Sequence, residues 1–103
     1  MGGDKKVLEI LHKHATPGAA HRVFHYLYFD GHVAAASAVA ELRSWGFEVA
    51  DKPAASGENW LVLACHEIAP SESAIERTRA LMEGLASAAG GKYDGWEVEI
   101  RQN

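Results

Sequence analysis

The sequence has few of the features that would place a protein in a membrane, a secreted scaffold or a nucleic-acid complex. Cys65 is its one cysteine, so no disulfide can form within the chain, whereas small secreted domains usually depend on several. No apolar run approaches a membrane span, and none after Lys5 and Lys6 resembles a signal peptide. Ten Lys and Arg against fourteen Asp and Glu give a net charge of −4, which disfavours a phosphate backbone. We therefore expect a cytoplasmic protein without direct contacts to membranes or nucleic acid.

The length of 103 residues, with 48% hydrophobic and 23% charged residues, is typical of one globular domain. We predict that residues 1–20 form an N-terminal helical appendage and linker, and that residues 21–103 form a single domain. Within the appendage, four residues recur at the spacing of one helix face, namely Val7, Ile10, Leu11 and His14. Pro17 and Gly18 are expected to end this short helix.

Hydrophobic periodicity predicts four strands and two further helices in residues 21–103. The strands are expected at Arg22–Phe29, Phe47–Asp51, Trp60–Glu67 and Trp96–Arg101. The helices are expected at His32–Trp45 and from Pro70-Ser71 to Ala89. The first and third strands are apolar on both faces, which favours central positions, whereas the other two alternate, as edge strands do.

The order β-α-β-β-α-β, with right-handed crossovers, predicts an α+β fold of the ferredoxin-like type. Its antiparallel sheet would have the order 4-1-3-2, with both helices on one face. Asp30 is predicted to cap the first helix, Ser73 to Glu76 to form a capping box in the second, and Gly46 to end the first. Gly84 would be tolerated within the second helix if another backbone packs closely there.

The face of the sheet without helices is the candidate functional surface. Glu48 and Ala50 on the second strand, and Glu97 and Glu99 on the fourth, are predicted to point outward. For the first strand we favour an outward set of Phe24, Tyr26 and Tyr28 over Val23, His25, Leu27 and Phe29, because tyrosine hydroxyls favour water. For the third strand the choice between Trp60, Val62, Ala64 and His66 and the alternate set Leu61, Leu63 and Cys65 stays open. The predicted partner-binding residues are Phe24, Tyr26, Tyr28, Glu48, Glu97 and Glu99.

No catalytic or cofactor-binding motif is present in the sequence, so we predict neither a catalytic residue nor a cofactor. Among the six histidines, His21 and His66 could approach Glu67 across paired strands, which would give a site of two histidines and one carboxylate. No motif spacing supports this arrangement, so the favoured prediction is that no metal is bound. Cys65 lies in an apolar run and is interpreted as a small buried hydrophobic residue.

Two segments resemble a known family. The run His25-Tyr26-Leu27-Tyr28-Phe29, ahead of an alanine-rich helix, is similar to the start of the domain called regulator of ribonuclease activity B. Tyr93-Asp94-Gly95-Trp96 resembles the closing signature of that domain, where a turn leads into the last strand. The residues that carry the resemblance most closely are His25, Tyr26, Tyr93, Asp94, Gly95 and Trp96. The resemblance implies a ferredoxin-like fold, no catalytic activity and binding to the endoribonuclease ribonuclease E.

Two functional hypotheses follow from these observations. The first is a non-enzymatic, protein-binding regulator that docks on an RNA-processing endoribonuclease through its open sheet face, as a monomer or weak dimer. The alternative is a small-molecule-binding or enzymatic domain that dimerises face to face and encloses a pocket between the two sheets. RNA binding by the aromatic strip is less favoured, because the acidic border opposes phosphate.

Overall fold

The structure is a computed structural model, and it describes residues 20–55, 59–69 and 71–99. Its elements follow the order β-α-β-β-α-β. The strands are β1 (His21–Phe29), β2 (Glu48–Pro53), β3 (Trp60–Ile68) and β4 (Lys92–Glu99). The helices are α1 (His32–Ser44) and α2 (Glu72–Ala88). The predicted N-terminal helix and the last residues of the predicted fourth strand lie outside the described residues.

The four strands form one antiparallel sheet in the order β2-β3-β1-β4, which is the predicted order read from the other edge. The predicted ferredoxin-like arrangement is therefore confirmed. Helix α1 packs mainly over β2 and β3, and α2 packs over β4 and β1, both on the same face of the sheet. None of the helices in the described ranges is long and apolar enough to cross a membrane.

The core lies between the sheet and the two helices. Alternate β1 residues, among them Leu27 and Phe29, are buried together with Leu42 of α1 and Met82 of α2. The inner face of α1 carries four buried residues at helical spacing: Ala35, Ala38, Val39 and Leu42. The apolar residues at helical spacing thus explain which face of α1 packs on the sheet.

The structure also decides which faces of the central strands are open. On β1, Phe24, Tyr26 and Tyr28 lie on the face without helices, as favoured from the sequence. On β3, the register pairs these residues with Cys65, Leu63 and Leu61, which therefore share the open face. The alternate β3 residues, from Trp60 to His66, point toward the helices.

Three local predictions about the helices are wrong. The N-cap of α1 is Gly31 rather than Asp30, and it makes no side-chain cap. In α2 the cap is Ser71 rather than Ser73, because the Ser71 hydroxyl accepts a hydrogen bond from the Ala74 amide at 3.1 Å. An added Cβ at Gly84 would meet no described atom within 4 Å, so close backbone packing does not explain this glycine. The predicted end of α1 is confirmed, since Gly46 has a φ of +93°.

The fourth strand begins at Lys92, earlier than the predicted Trp96, and it contains a β-bulge. His25 pairs with Trp96 and Leu27 pairs with Tyr93, so Asp94 and Gly95 together lie opposite Tyr26. Gly95 has a φ of +103°, a conformation that glycine adopts without strain. The Asp94-Gly95 pair is therefore a bulge inside the strand and not a turn before it.

Candidate partner-binding face

The open face of the sheet carries an apolar strip along its two central strands. Phe24, Tyr26 and Tyr28 of β1 are half-buried, and they lie beside Leu61 and Leu63 of β3. Both described helices lie on the other side of the sheet, so no described helix covers this strip. A strip of aromatic and aliphatic side chains can supply the apolar centre of a protein interface.

Arg22 connects the acidic groups at the end of the face where β1 begins. Its guanidinium donates to Glu48 Oε2 on β2 at 3.2 Å and lies 3.9 Å from Glu99 Oε2 on β4. It also donates to Cys65 Sγ at 3.3 Å and lies 5.5 Å from the centre of the Phe24 ring. Because these groups are partly exposed, each ion pair contributes little to stability, but together they orient two carboxylates from opposite edges of the sheet.

Glu97, the third predicted carboxylate, is held by a tyrosine of the strip. The Tyr26 hydroxyl donates to Glu97 Oε1 at 2.6 Å, a short bond of the charge-assisted kind. This hydrogen bond is the main cause that raises the pKa of Tyr26 to about 12, with smaller effects from partial burial and the negative charge of Glu97. Tyr26 therefore stays a neutral donor that holds the Glu97 side chain beside the apolar strip.

Carboxylates from three strands gather at the end of the open face where β1 begins. Glu48 and Glu99 lie within 4 Å of the Arg22 guanidinium, Glu97 lies opposite Phe24, and Glu67 pairs with Arg22 across the sheet. The lysines at the opposite end were not among the predicted partner-binding residues. There Lys52 lies opposite Leu61 and Lys92 lies opposite Tyr28, so both share the open face. The open face thus combines an apolar centre with carboxylates toward one end and two lysines toward the other.

Three polar rings form a chain on the other side of the sheet, with the buried His25 between the half-buried His66 and Tyr93. His25 has no exposed surface, and its Nδ1 lies 2.9 Å from the Tyr93 hydroxyl. Its Nε2 lies 3.0 Å from Nε2 of His66. Phe47 packs against both imidazoles, with ring centres 6.1 and 4.6 Å away. The residues therefore form a hydrogen-bonded chain, Tyr93–His25–His66, inside an aromatic environment.

The surroundings of this chain favour neutral histidines. Desolvation, followed by the effect of His66, lowers the pKa of His25 to about 3, and desolvation lowers the pKa of His66 as well. With both rings neutral, each contact can have one donor and one acceptor, running either from Tyr93 to His66 or in reverse. If both rings were protonated, two N–H groups would point at each other across 3.0 Å. The chain is thus a pH-dependent part of the core.

The bulge in β4 explains how the Tyr-Asp-Gly-Trp segment contributes to this core. Tyr93 and Trp96 are three residues apart, so a regular strand would point them to opposite faces. The extra residue at the bulge lets both rings point toward the helices. Tyr93 packs on the main core and reaches His25, and Trp96 packs on Val23 and Ile75. Of the six residues that carry the family resemblance, Tyr26 is the one placed in the open strip.

The alternative metal site is not formed. His21 pairs with Ile68, Val23 with His66 and Arg22 with Glu67, so Glu67 points to the open face while both histidines point to the helices. No cluster of three or more potential metal ligands occurs within residues 20–55, 59–69 and 71–99. His66 contacts His25 instead, its diagonal neighbour across the paired strands β1 and β3. The predicted strand pairing is enough to find this contact once the inward face of both strands is known. Cys65 is buried, as predicted, although on the open side of the sheet.

The sequence matches the family described as Regulator of ribonuclease activity B over residues 3–98, nearly the whole chain. The chain belongs to the regulator of ribonuclease activity B family. No curated protein matches the sequence significantly. The family consists of regulators of ribonuclease activity, which implies a regulatory role and a protein partner for this member.

Proposed function

We propose that this protein is a non-enzymatic regulator that binds an RNA-processing endoribonuclease of the ribonuclease E type through the open sheet face. The observation that carries the proposal is the apolar strip of Phe24, Tyr26 and Tyr28 on a face that no described helix covers. Membership in a family of ribonuclease regulators supplies the class of partner. On this proposal, binding alters the activity of the ribonuclease without any chemical step in the regulator.

The centre of the face supports binding to a protein rather than to RNA. Its aromatic side chains lie in one row along β1, with Leu61 and Leu63 in the next row, and such a surface buries apolar area well. Stacking of nucleotides would bring phosphates near the carboxylates of Glu97 and Glu99, which repel them. A protein segment with lysines or arginines gains energy at the same place.

The fixed carboxylates support a partner whose binding segment is basic at one end. Arg22 holds Glu48 and Glu99, and Tyr26 holds Glu97, so these groups are oriented before a partner arrives. Charged groups at the border of an interface mainly increase the association rate and set the orientation of the partner. Lys52 and Lys92 at the opposite end would favour an acidic or neutral continuation of that segment.

The proposal is tested by reversing charges at the acidic end. We expect the double variant Glu97→Lys and Glu99→Lys to bind a purified ribonuclease E-type enzyme from the same host with an association rate roughly tenfold lower at low salt. The salt dependence of the rate should also become flatter. Surface plasmon resonance over a series of salt concentrations measures both quantities, and an RNA-cleavage assay reports the regulation of the enzyme.

The matched control places the same charge change on the helical side. Glu76 and Glu83 are exposed residues of α2, and their change to lysine should leave the association rate within about twofold of the native value. Equal effects of the two double variants would contradict docking through the open face. Sedimentation of the protein alone tests the alternative that a second copy of the chain covers the open face. A stable dimer that is lost in the Tyr28→Glu variant would assign the face to that second copy.

A further inference from the structure

Two rows of side chains cross the open face from one sheet edge to the other. The first, here the acidic row, consists of Glu48, Cys65, Phe24 and Glu97. The second, here the basic row, consists of Lys52, Leu61, Tyr28 and Lys92. Within each row the two edge strands carry the same charge, whereas along the strands the charge changes sign. The face is therefore polar in the direction of β1, with the apolar strip between the charged ends.

The dimensions of the strip fit an α-helix. Phe24 and Tyr28 are four residues apart along β1, which is about 13 Å at the rise of a strand. The strip covers the two central strands and is about 10 Å wide, since neighbouring strands lie about 4.8 Å apart. A helix has about the same diameter, and a length of about 13 Å corresponds to about nine of its residues.

The strip offers side chains to a partner and few free backbone groups. Strand β1 pairs with β3 and β4, and β3 pairs with β1 and β2, so both central strands use most of their backbone groups within the sheet. An extended segment lying on the strip would leave its own amides and carbonyls unpaired against apolar side chains, which is costly. A helix pairs its backbone groups internally and can present a continuous apolar side.

The edges of the sheet are poorly suited to the addition of a partner strand. The Ala54 amide donates to the Asn59 carbonyl oxygen at 2.8 Å, so these two residues form a hydrogen-bonded pair. In the same register, alternate residues from Val49 to Pro53 direct their backbone groups away from β3. Arg43 of α1 covers the Val49 carbonyl oxygen at 3.2 Å, and Pro53 has no amide hydrogen to donate. At the other edge the β-bulge interrupts β4.

We propose that the open face binds one amphipathic α-helix of the protein partner, with the helix N-terminus at the acidic row and the C-terminus at the basic row. The inference rests on the proposed function, which assigns this face to a protein, and it adds the conformation and direction of the bound segment. The partial positive charge of a helix N-terminus is favourable beside carboxylates, and the partial negative charge of its C-terminus is favourable beside lysines. The bound helix therefore runs in the direction of β1, with basic side chains in its first turn and acidic ones in its last.

Two synthetic peptides of the same composition test this direction. Each is about 15 residues long, with leucines along one side at helical spacing, and a hydrocarbon link on the opposite side keeps it helical. The matched peptide has lysines in its first turn and glutamates in its last, and the mismatched peptide has them exchanged. In calorimetric titrations of the full-length protein, we expect the matched peptide to bind about tenfold more tightly at low salt, with a smaller difference at high salt.

An exchange of the two rows in the protein supplies the control. Glu48→Lys, Glu97→Lys, Lys52→Glu and Lys92→Glu, made together, leave the net charge of −4 unchanged and should transfer the preference to the mismatched peptide. Arg43→Ala frees the edge of β2 and should change the affinity for the matched peptide by less than about twofold, whereas strand addition would make that binding tighter.

A spin label decides the direction in the native protein, including the case in which the exchanged protein does not fold. With the label at the N-terminus of the matched peptide, the NMR signal of the Glu97 amide should lose more intensity than that of the Lys92 amide. Stronger loss at Lys92 would overturn the inference, and so would equal affinity of the two peptides. Absence of binding by both peptides would overturn it as well, because the strip would then not accept a helix. A stable dimer of the native protein that the matched peptide does not dissociate would assign the strip to a second copy.

The inference and the proposed function fail separately. If Glu97→Lys and Glu99→Lys slow the binding of the ribonuclease while the two peptides bind equally, docking through the open face stands and the helix is wrong. If the same charge reversal leaves the binding of the ribonuclease unchanged while the matched peptide binds more tightly, the face accepts a helix and the proposed partner is wrong.

Discussion

The buried His25, paired with the half-buried His66, should make the stability of this protein fall in mild acid. In the folded chain His25 stays neutral, with its pKa lowered to about 3, whereas in the unfolded chain it binds a proton below about pH 6.5. Between these values the unfolded state binds more protons, so the free energy of unfolding decreases as the pH falls from 6.5 toward 3. The contribution is fully present above pH 6.5.

The size of this effect follows from the full burial of His25. For one ring that cannot be protonated in the folded state, the loss between pH 7.5 and pH 5 is about 2 kcal/mol. The lowered pKa of His66 acts in the same direction. Since small domains have about 5–15 kcal/mol of total stability, a loss of this size is readily measured.

The assay is urea unfolding, followed by tryptophan fluorescence at several pH values between 4 and 8. The variant His25→Gln keeps a donor and an acceptor but does not titrate, so its decrease between pH 7.5 and pH 5 should be about 2 kcal/mol smaller than that of the native protein. The exposed His32→Gln is the control, and its pH dependence should match the native one. Parallel curves for all three proteins would refute the reasoning. If His25→Gln does not fold, an NMR titration of the His25 ring in the native protein measures its pKa directly. A midpoint near pH 6.5 would also refute the reasoning.

Two further predictions concern the residues around β4. Tyr93→Phe should lower the free energy of unfolding by about 1–3 kcal/mol, because it leaves a buried His25 nitrogen without its partner. The control Tyr28→Phe, on the open face, should lower it by less than about 0.5 kcal/mol. The same urea assay compares the two variants. Gly91→Ala should cost about 1–3 kcal/mol, because its Cβ would lie 2.5 Å from the Tyr28 carbonyl oxygen, and a melting temperature equal to that of the native protein would disprove this close approach.

Much of the fold could be predicted because burial in a sheet leaves a direct pattern in the sequence. The strands that are apolar on both faces became the central ones, since only they need apolar side chains toward both the helices and the open face. The outward face of β1 was also predictable, because Tyr26 and Tyr28 carry hydroxyl groups that favour water while Val23 and Leu27 carry none.

The features that escaped prediction depend on contacts between distant segments. Alternation from Trp96 onward gave the correct faces, but a β-bulge shifts the pattern, so Tyr93 and Lys92 were placed outside the strand. The buried pair of His25 and His66 follows from strand register together with the inward face of both strands, and the sequence left the second point open. The caps at Gly31 and Ser71 differ from those predicted because several neighbouring residues can act as caps and tertiary packing selects one.

The contact between His25 and His66 ties two positions of the chain to each other during evolution. Each imidazole supplies what the other lacks, a proton on one side and a lone pair on the other. Replacing His66 with an aliphatic side chain leaves Nε2 of the fully buried His25 without a hydrogen-bond partner, so that single change is costly. Relatives that lack a histidine at one of these two positions should thus also lack the histidine at the other, so the two positions should change together.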